Sequence, residues 1–127
     1  HSPMFHFPVQ IYYEDTDHSG FVYHANYLKY FERAREHAIG KEILQRFWFD
    51  DGIGFVVYEA DMRFIAGAEF GDILDIRSTY TWESKYRIIW HQVVWKDGGE
   101  KAAVMANVHM VCIDRSRKPI IIPRILE

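Results

Sequence analysis

The chain has 127 residues, 49% of them hydrophobic and 17% aromatic, which suffices for one domain with one core and leaves no room for a second catalytic domain. A formal net charge of -3 with interspersed signs lacks the basic footprint of a nucleic-acid binder, so no nucleic-acid partner is expected. Cys112 is the only cysteine, which excludes an internal disulfide and a CxxC motif and fits a cytoplasmic location.

His1-Ser2-Pro3 ahead of Met4 reads as a cloning remnant, and the expected domain is 4–127. No apolar run approaches the ~20 residues needed to span a bilayer, and no signal-peptide pattern opens the chain. Over 5–13, Phe5, Phe7, Val9, Ile11 and Tyr13 alternate with more polar neighbours, which predicts a strand. Asp15 to Gly20 is polar, aperiodic and rich in turn formers. From Asn26 the period becomes helical, with Tyr27, Leu28, Phe31, Ala34, Ala38 and Ile39 on one face and Lys29, Glu32, Arg33 and Glu36 on the other. His24 or Asn26 is the expected N-cap, Gly40 a candidate interruption, and Asp50-Asp51-Gly52 the end of the helical region.

Four further strands are expected. Over 55–65 the even positions Val56, Tyr58, Ala60, Met62 and Phe64 are apolar, and 73–83 alternates in the same way. Residues 87–96 are rich in Ile, Val and Trp, and Asp97-Gly98-Gly99 predicts a hairpin turn. Residues 101–113 are nearly all apolar, as expected of a strand covered on both faces. The order predicts an α+β fold, with one long helix on a five-stranded antiparallel sheet whose last four strands form a meander. One helix covers only one sheet face, so a second subunit is expected on other surfaces.

The densest cluster of reactive groups is Glu14, Asp15, Asp17, His18 and His24, in the connection between the first strand and the helix. A loop held between rigid elements is a common place for catalysis. The helix start adds unsatisfied N–H groups and partial positive charge, which suit a carbonyl that becomes an oxyanion. A carboxylate just before that end can activate water or attack the carbonyl itself. The plainer alternative is that Asp17 only shapes the turn.

The run Tyr13-Glu14-Asp15-Thr16-Asp17-His18-Ser19-Gly20-Phe21-Val22-Tyr23-His24-Ala25-Asn26-Tyr27-Leu28, continued by Tyr30-Phe31-Glu32-Arg33-Ala34-Arg35, resembles the signature of the 4-hydroxybenzoyl-CoA thioesterase-like hot-dog family. Within it the run resembles the YbgC branch, associated in bacteria with the Tol-Pal envelope system. The resemblance implies a hot-dog fold and hydrolysis of acyl-CoA or acyl-carrier-protein thioesters, with no metal and no organic cofactor. It implies homodimers joined edge to edge, homotetramers as pairs of dimers, and a peripheral link to the inner-membrane Tol-Pal system. On the same ground Asp17 corresponds to the catalytic carboxylate, and His24 to the helix-start position that polarises the thioester carbonyl.

Two routes stay open for Asp17, general base to water or nucleophile through a mixed anhydride, and His24 acts through its side chain or through its N–H alone. Tyr13 and Asn26 are candidate substrate contacts, and the resemblance makes Lys85 and Arg87 candidates for the CoA phosphates. Gly67 departs from the family, which often has proline there. Metal binding by His18 and His24 lacks any recognised ligand spacing, Cys112 reads as core, and His91 and His109 read as structural. The rival from another class is a non-catalytic acyl- or lipid-binding hot-dog module. Hydratase chemistry would need a different surrounding motif.

Overall fold

The computed structural model describes residues 2–124. Strand β1 (Phe5–Gln10) is followed by a short 3-10 turn at Tyr13–Asp15, helix α1 (Asn26–Ile39) and helix α2 (Lys41–Arg46). Strands β2 (Gly54–Phe64), β3 (Ile73–Trp82), β4 (Arg87–Lys96) and β5 (Lys101–Ile113) follow, then a two-residue β6 (Pro119–Ile120). All pair antiparallel in the order β1-β3-β4-β5-β2, with β6 added beside β5. The expected five strands are present, and the sixth is a short tail pairing that periodicity over two residues does not reveal.

Three local expectations are corrected. The last four strands are not a simple meander, because β2 crosses to the far edge beside β5 and β1 takes the place next to β3. The first strand ends at Gln10 rather than Tyr13, since Ile11 leaves the ladder to exchange backbone bonds with Asp72 and Gly71. The single long helix is two, broken at Gly40, whose φ of 102 is open to glycine and unfavourable for other residues.

Helix α1 lays Tyr27, Tyr30, Phe31, Ala34 and Ile39 onto the sheet, where they meet Leu74, Ile76, Ile88, Trp90, Val94, Val104, Val108 and Cys112. Each large side chain buried in this way contributes roughly 1.5–3 kcal/mol. Cys112 is fully buried, and burial pushes its thiol up to about 11, so it belongs to the core as expected. Arg35 lies on the same stripe, four residues after Phe31, and is buried too.

Strand β2 does not keep the straight alternation read from its sequence. The register slips between Val57 and Glu59, so Tyr58 is a bulge. Phe55 and Val57 therefore pair with the inward residues Cys112 and Met110, and after the bulge Ala60, Met62 and Phe64 take over that face. The bulge moves Val56 to the other side of the sheet. Val56, Val57, Tyr58 and Phe64 are all exposed on this edge strand. Strand β5 alternates fully and partly buried residues, so one of its faces is left half-open by the protomer.

Candidate active site

The loop after β1 is tied down from several sides. The Tyr12 amide donates to the Asp15 carboxylate at 2.8 Å, and the Thr16 hydroxyl and amide both donate to the Tyr13 carbonyl. The Asp17 amide bonds the Phe21 carbonyl at 2.9 Å, the Val22 amide bonds Ala68, and Phe21 bridges to Glu69. The loop is thus sewn to itself and to residues 68–72 at one end of the sheet. Asp17 sits at the tip of the inner turn.

One Asp17 carboxylate oxygen, Oδ1, accepts both the Ser19 amide at 2.8 Å and the Ser19 hydroxyl at 2.5 Å. These bonds hold the carboxyl below its ordinary range, with smaller help from His24 and His18. The lowered pKa favours the ionised carboxylate. Asp17 keeps its second oxygen, Oδ2, free of protein hydrogen bonds among the described residues. An exposed, ionised carboxylate with one oxygen anchored and one open can accept a proton from water or attack a carbonyl.

His24 lies one residue before the helix cap, and its charge acts on Asp17. The cap itself is Ala25 in helical conformation, without a side-chain bond. The expected capping by His24 or Asn26 does not form, because the cap position falls to Ala25, whose backbone is already helical and whose side chain has no acceptor for the N–H groups ahead of it. Asn26 turns outward from that role and donates its side-chain amide to the Asp15 carbonyl at 2.9 Å. The Asn26 amide bonds the Tyr23 carbonyl, while the His24 and Ala25 amides donate to no described residue. Two open N–H groups at the positive end of α1 thus lie beside the His24 ring that couples to Asp17.

Beside this end is a cleft of about 230 Å³ lined by Phe21, His24, Tyr27, Phe64, Ile65 and Gly67. Gly67 is matched to Phe21: a Cβ at this position would meet the Phe21 ring at 2.4 Å. The absence of a side chain at Gly67 leaves the room that the Phe21 ring fills.

The other sequence candidates are placed unequally. Asp17, His24 and Asn26 come together around the loop and helix start. Tyr13 is 77% exposed and stacks on Phe70 at 4.1 Å, at the outer side of the same loop. Lys85 and Arg87 lie at the β3–β4 turn beyond Trp82, whereas the loop joins the sheet at the Ile73 end of β3. Nine strand steps at about 3.3 Å separate those ends by about 30 Å, so one chain does not bring Lys85 and Arg87 to Asp17. Arg87 instead lies over the Tyr58 ring, and Lys85 over Tyr86. His91 is bonded on both ring nitrogens, to Thr81 and Asn107, and His109 faces Glu59 and Tyr58. Among the described residues no group of three or more His, Cys, Asp and Glu side chains is placed to hold a metal ion.

The sequence reading passed over Ser19, the residue that does most to set the Asp17 charge state. Its spacing two residues after an aspartate in a turn is the signal that was available.

Comparison with known proteins gives a consistent picture. The family model described as the thioesterase-like superfamily matches residues 12–126. The chain is 31% identical over 123 residues to the acyl-CoA thioester hydrolase YbgC of Escherichia coli O6:H1, covering 95% of this chain and 91% of that one. It is 28% identical over 124 residues to the 1,4-dihydroxy-2-naphthoyl-CoA hydrolase of Thermosynechococcus vestitus, covering 94% and 84%. Among solved structures, a 1,4-dihydroxy-2-naphthoyl-CoA thioesterase from Synechocystis superposes with a TM-score of 0.87 at 27% identity, covering 96% of this chain and 91% of that one. A probable thioesterase from Bartonella henselae superposes at 0.85 with 28% identity, covering 95% and 100%.

Proposed function

The chain belongs to the thioesterase-like superfamily and has its hot-dog fold, and on that premise we propose that it hydrolyses acyl-CoA thioesters with Asp17 as the reacting carboxylate. The reading is supported by the half-anchored Asp17 carboxylate, on which His24 acts electrostatically, and by the His24 and Ala25 amides left without a partner at the helix start among the described residues. A thioester carbonyl oxygen at the helix start would meet two donors and the positive end of the helix. The negative charge that develops there on attack is stabilised, an effect worth roughly 3–4 kcal/mol per donor in comparable sites.

In the base route Asp17 removes a proton from water as it adds to the carbonyl, and the tetrahedral oxyanion collapses with departure of the thiolate. In the nucleophile route Asp17 attacks directly, the thiolate leaves, and water hydrolyses the anhydride. The exposed carboxylate serves either. The His24 side chain assists by orienting Asp17 or the carbonyl.

The 30 Å separation of Lys85 and Arg87 from Asp17 bears on assembly. If the exposed β2 edge pairs antiparallel with a second copy, the Gly54 end of that copy's β2 lies against the Phe64 end of this one. Arg87 pairs with Val111, which pairs with Val56, so Lys85 and Arg87 of the partner subunit come toward the Asp17 end. The reading is therefore a homodimer with shared sites, and a homotetramer where the half-open sheet faces also pack. Tyr13 would border the entry, and Asn26 would act chiefly by fixing the loop. An acyl-carrier-protein substrate, a cytoplasmic location and a peripheral Tol-Pal link remain parts of the same proposal, resting on the similarity to YbgC and on the single buried thiol. No helix among the described residues is long and apolar enough to cross a membrane.

A passive acyl-binding module needs no ionised carboxylate beside open amides. Thiol release from a panel of acyl-CoAs, compared between the parent, Asp17→Asn and Asp15→Asn, tests the hydrolase reading directly. No release from any member would return the passive module.

A further inference from the structure

Helix α1 addresses the Asp17 loop at a second point besides Asn26. Tyr30 follows Asn26 by four residues, so the two side chains share one face of the helix. Tyr30 is 1% exposed, and its hydroxyl is buried with no hydrogen-bond partner among the described residues. The Asp15 carboxylate stands beside it, near enough to act on the phenol but outside hydrogen-bonding geometry. Burial first and Asp15 second push the phenol pKa far up, so the group is a neutral hydroxyl that meets a carboxylate only as a donor. A phenylalanine would fill the same space with no polar atom to satisfy. A buried hydroxyl is costly unless an acceptor comes into use. The ring itself is held edge to face against Tyr27, with centroids 5.8 Å apart.

Asp15 is a junction of the site. Its carbonyl accepts the Tyr23 amide and the Asn26 side chain, both at 2.9 Å, and its half-buried carboxylate accepts the Tyr12 amide through Oδ2 at 2.8 Å. Oδ1 has no hydrogen bond among the described residues. Asp17 follows two residues later, and Tyr23 immediately precedes His24. Asp15 therefore ties the Asp17 turn both to the His24 segment and to the helix. A small shift of Asp15 toward α1 carries Asp17 with it, while the helix-start amides stay with the helix.

We propose that Tyr30 is a positioning residue for the hydrolysis at Asp17: its hydroxyl donates to the free oxygen of Asp15 as the loop settles on bound substrate, and that bond sets Asp17 against the carbonyl held at the helix start. The inference rests on the hydrolase reading and adds to it a residue that never touches the substrate. A bond from a neutral donor to a carboxylate is charge-assisted, and a misplacement of ~1 Å at a reacting group can cost ~100-fold in rate. The bond belongs to the reacting complex and not to the free protein. Removing the hydroxyl therefore slows the chemistry without loosening the fold, whereas a purely structural hydroxyl would do the reverse.

Tyr30→Phe deletes the hydroxyl alone. Thiol release is followed from butyryl-CoA, hexanoyl-CoA and benzoyl-CoA, and parent and variant are compared on the one that the parent turns over fastest. The expected result is a kcat lower by ~10- to 100-fold, the scale of a hydrogen bond to a charged group, with KM within ~2-fold. The melting temperature should equal or exceed that of the parent. In a double-variant cycle with Asp15→Asn, the cost of Tyr30→Phe should shrink by at least ~3-fold, because the charged acceptor is already gone. A parent-like kcat in Tyr30→Phe would overturn the proposal, as would a fall in kcat that comes with a lowered melting temperature. Losses that simply multiply in the double variant would overturn it too, and should Asp15→Asn fail to fold, the kcat and melting temperature of Tyr30→Phe decide. Failure of the underlying reading looks different. No thiol from the parent, or undiminished release by Asp17→Asn, removes the hydrolase mechanism and this role with it. An active parent, an inactive Asp17→Asn and an unimpaired Tyr30→Phe remove the Tyr30 role alone.

Discussion

The side-chain amide of Asn26 donates to the backbone carbonyl of Asp15 at 2.9 Å, joining the first residue of α1 to the loop that presents Asp17. The carboxylate and the open helix-start amides are therefore held in one frame rather than on two independent elements. Removing the clamp by Asn26→Ala should cost about 1 kcal/mol, the net worth of one half-buried hydrogen bond. The expected result is a melting temperature lower by a few degrees together with a fall in kcat larger than the change in KM. Unchanged kcat in a variant with the lowered melting temperature would show that the clamp serves stability alone.

Asp17→Asn keeps shape and hydrogen bonding but removes the negative charge and nearly all basicity. If Asp17 is the base or nucleophile, kcat should fall by ~100- to 10,000-fold while KM changes far less. Asp15→Asn should cost less, because the Asp15 side chain accepts the Tyr12 amide and supports the loop. Steady-state thiol release with a colorimetric reagent, on variants shown to be folded by circular dichroism, makes the comparison. Near wild-type turnover in folded Asp17→Asn would sink the mechanism.

Ser19→Ala removes the hydroxyl that donates to Asp17, the largest of the influences lowering its pKa. The Asp17 pKa should then rise toward its ordinary value. A carboxylate works while ionised, so activity is lost as pH falls through its pKa, and raising that pKa moves the acid limb of the rate profile to higher pH. Carbon-13 NMR titration of the side-chain carboxyls reads the shift without relying on activity. A titration curve identical to that of the parent would contradict the assigned hydrogen bond.

Chelation followed by assay should leave the hydrolysis rate unchanged, since neither route above uses an ion. A loss restored by zinc or manganese would instead make His18 and His24 ligand candidates.

Assembly has its own test. Light scattering at micromolar concentration should give a dimer or tetramer, and a charge placed on the exposed edge, Val57→Asp, should shift it toward monomer and reduce turnover with it. A stable monomeric parent with full activity would remove the basis for a site shared across the β2 edges.

Local chemistry determined much of this protein. Alternation of apolar residues located β3, β4 and β5, the helical period located α1, and the Asp15–Gly20 run with His24 marked the candidate site, because each signal depends on neighbours close in the chain. Tertiary structure decided what depends on distant partners. β2 lies beside β5 rather than β3, and the Tyr58 bulge reverses which of its residues face inward, a displacement that no alternation pattern encodes. Asn26 serves the Asp15 carbonyl rather than the helix cap, because the backbone at Ala25 is already helical. Lys85 and Arg87 fall at the far end of the sheet from Asp17, since antiparallel register, not sequence spacing, sets that distance. Arg35 looks in the sequence like one more charge on a helix, and only packing against Gln92 makes it a buried cation facing a cleft.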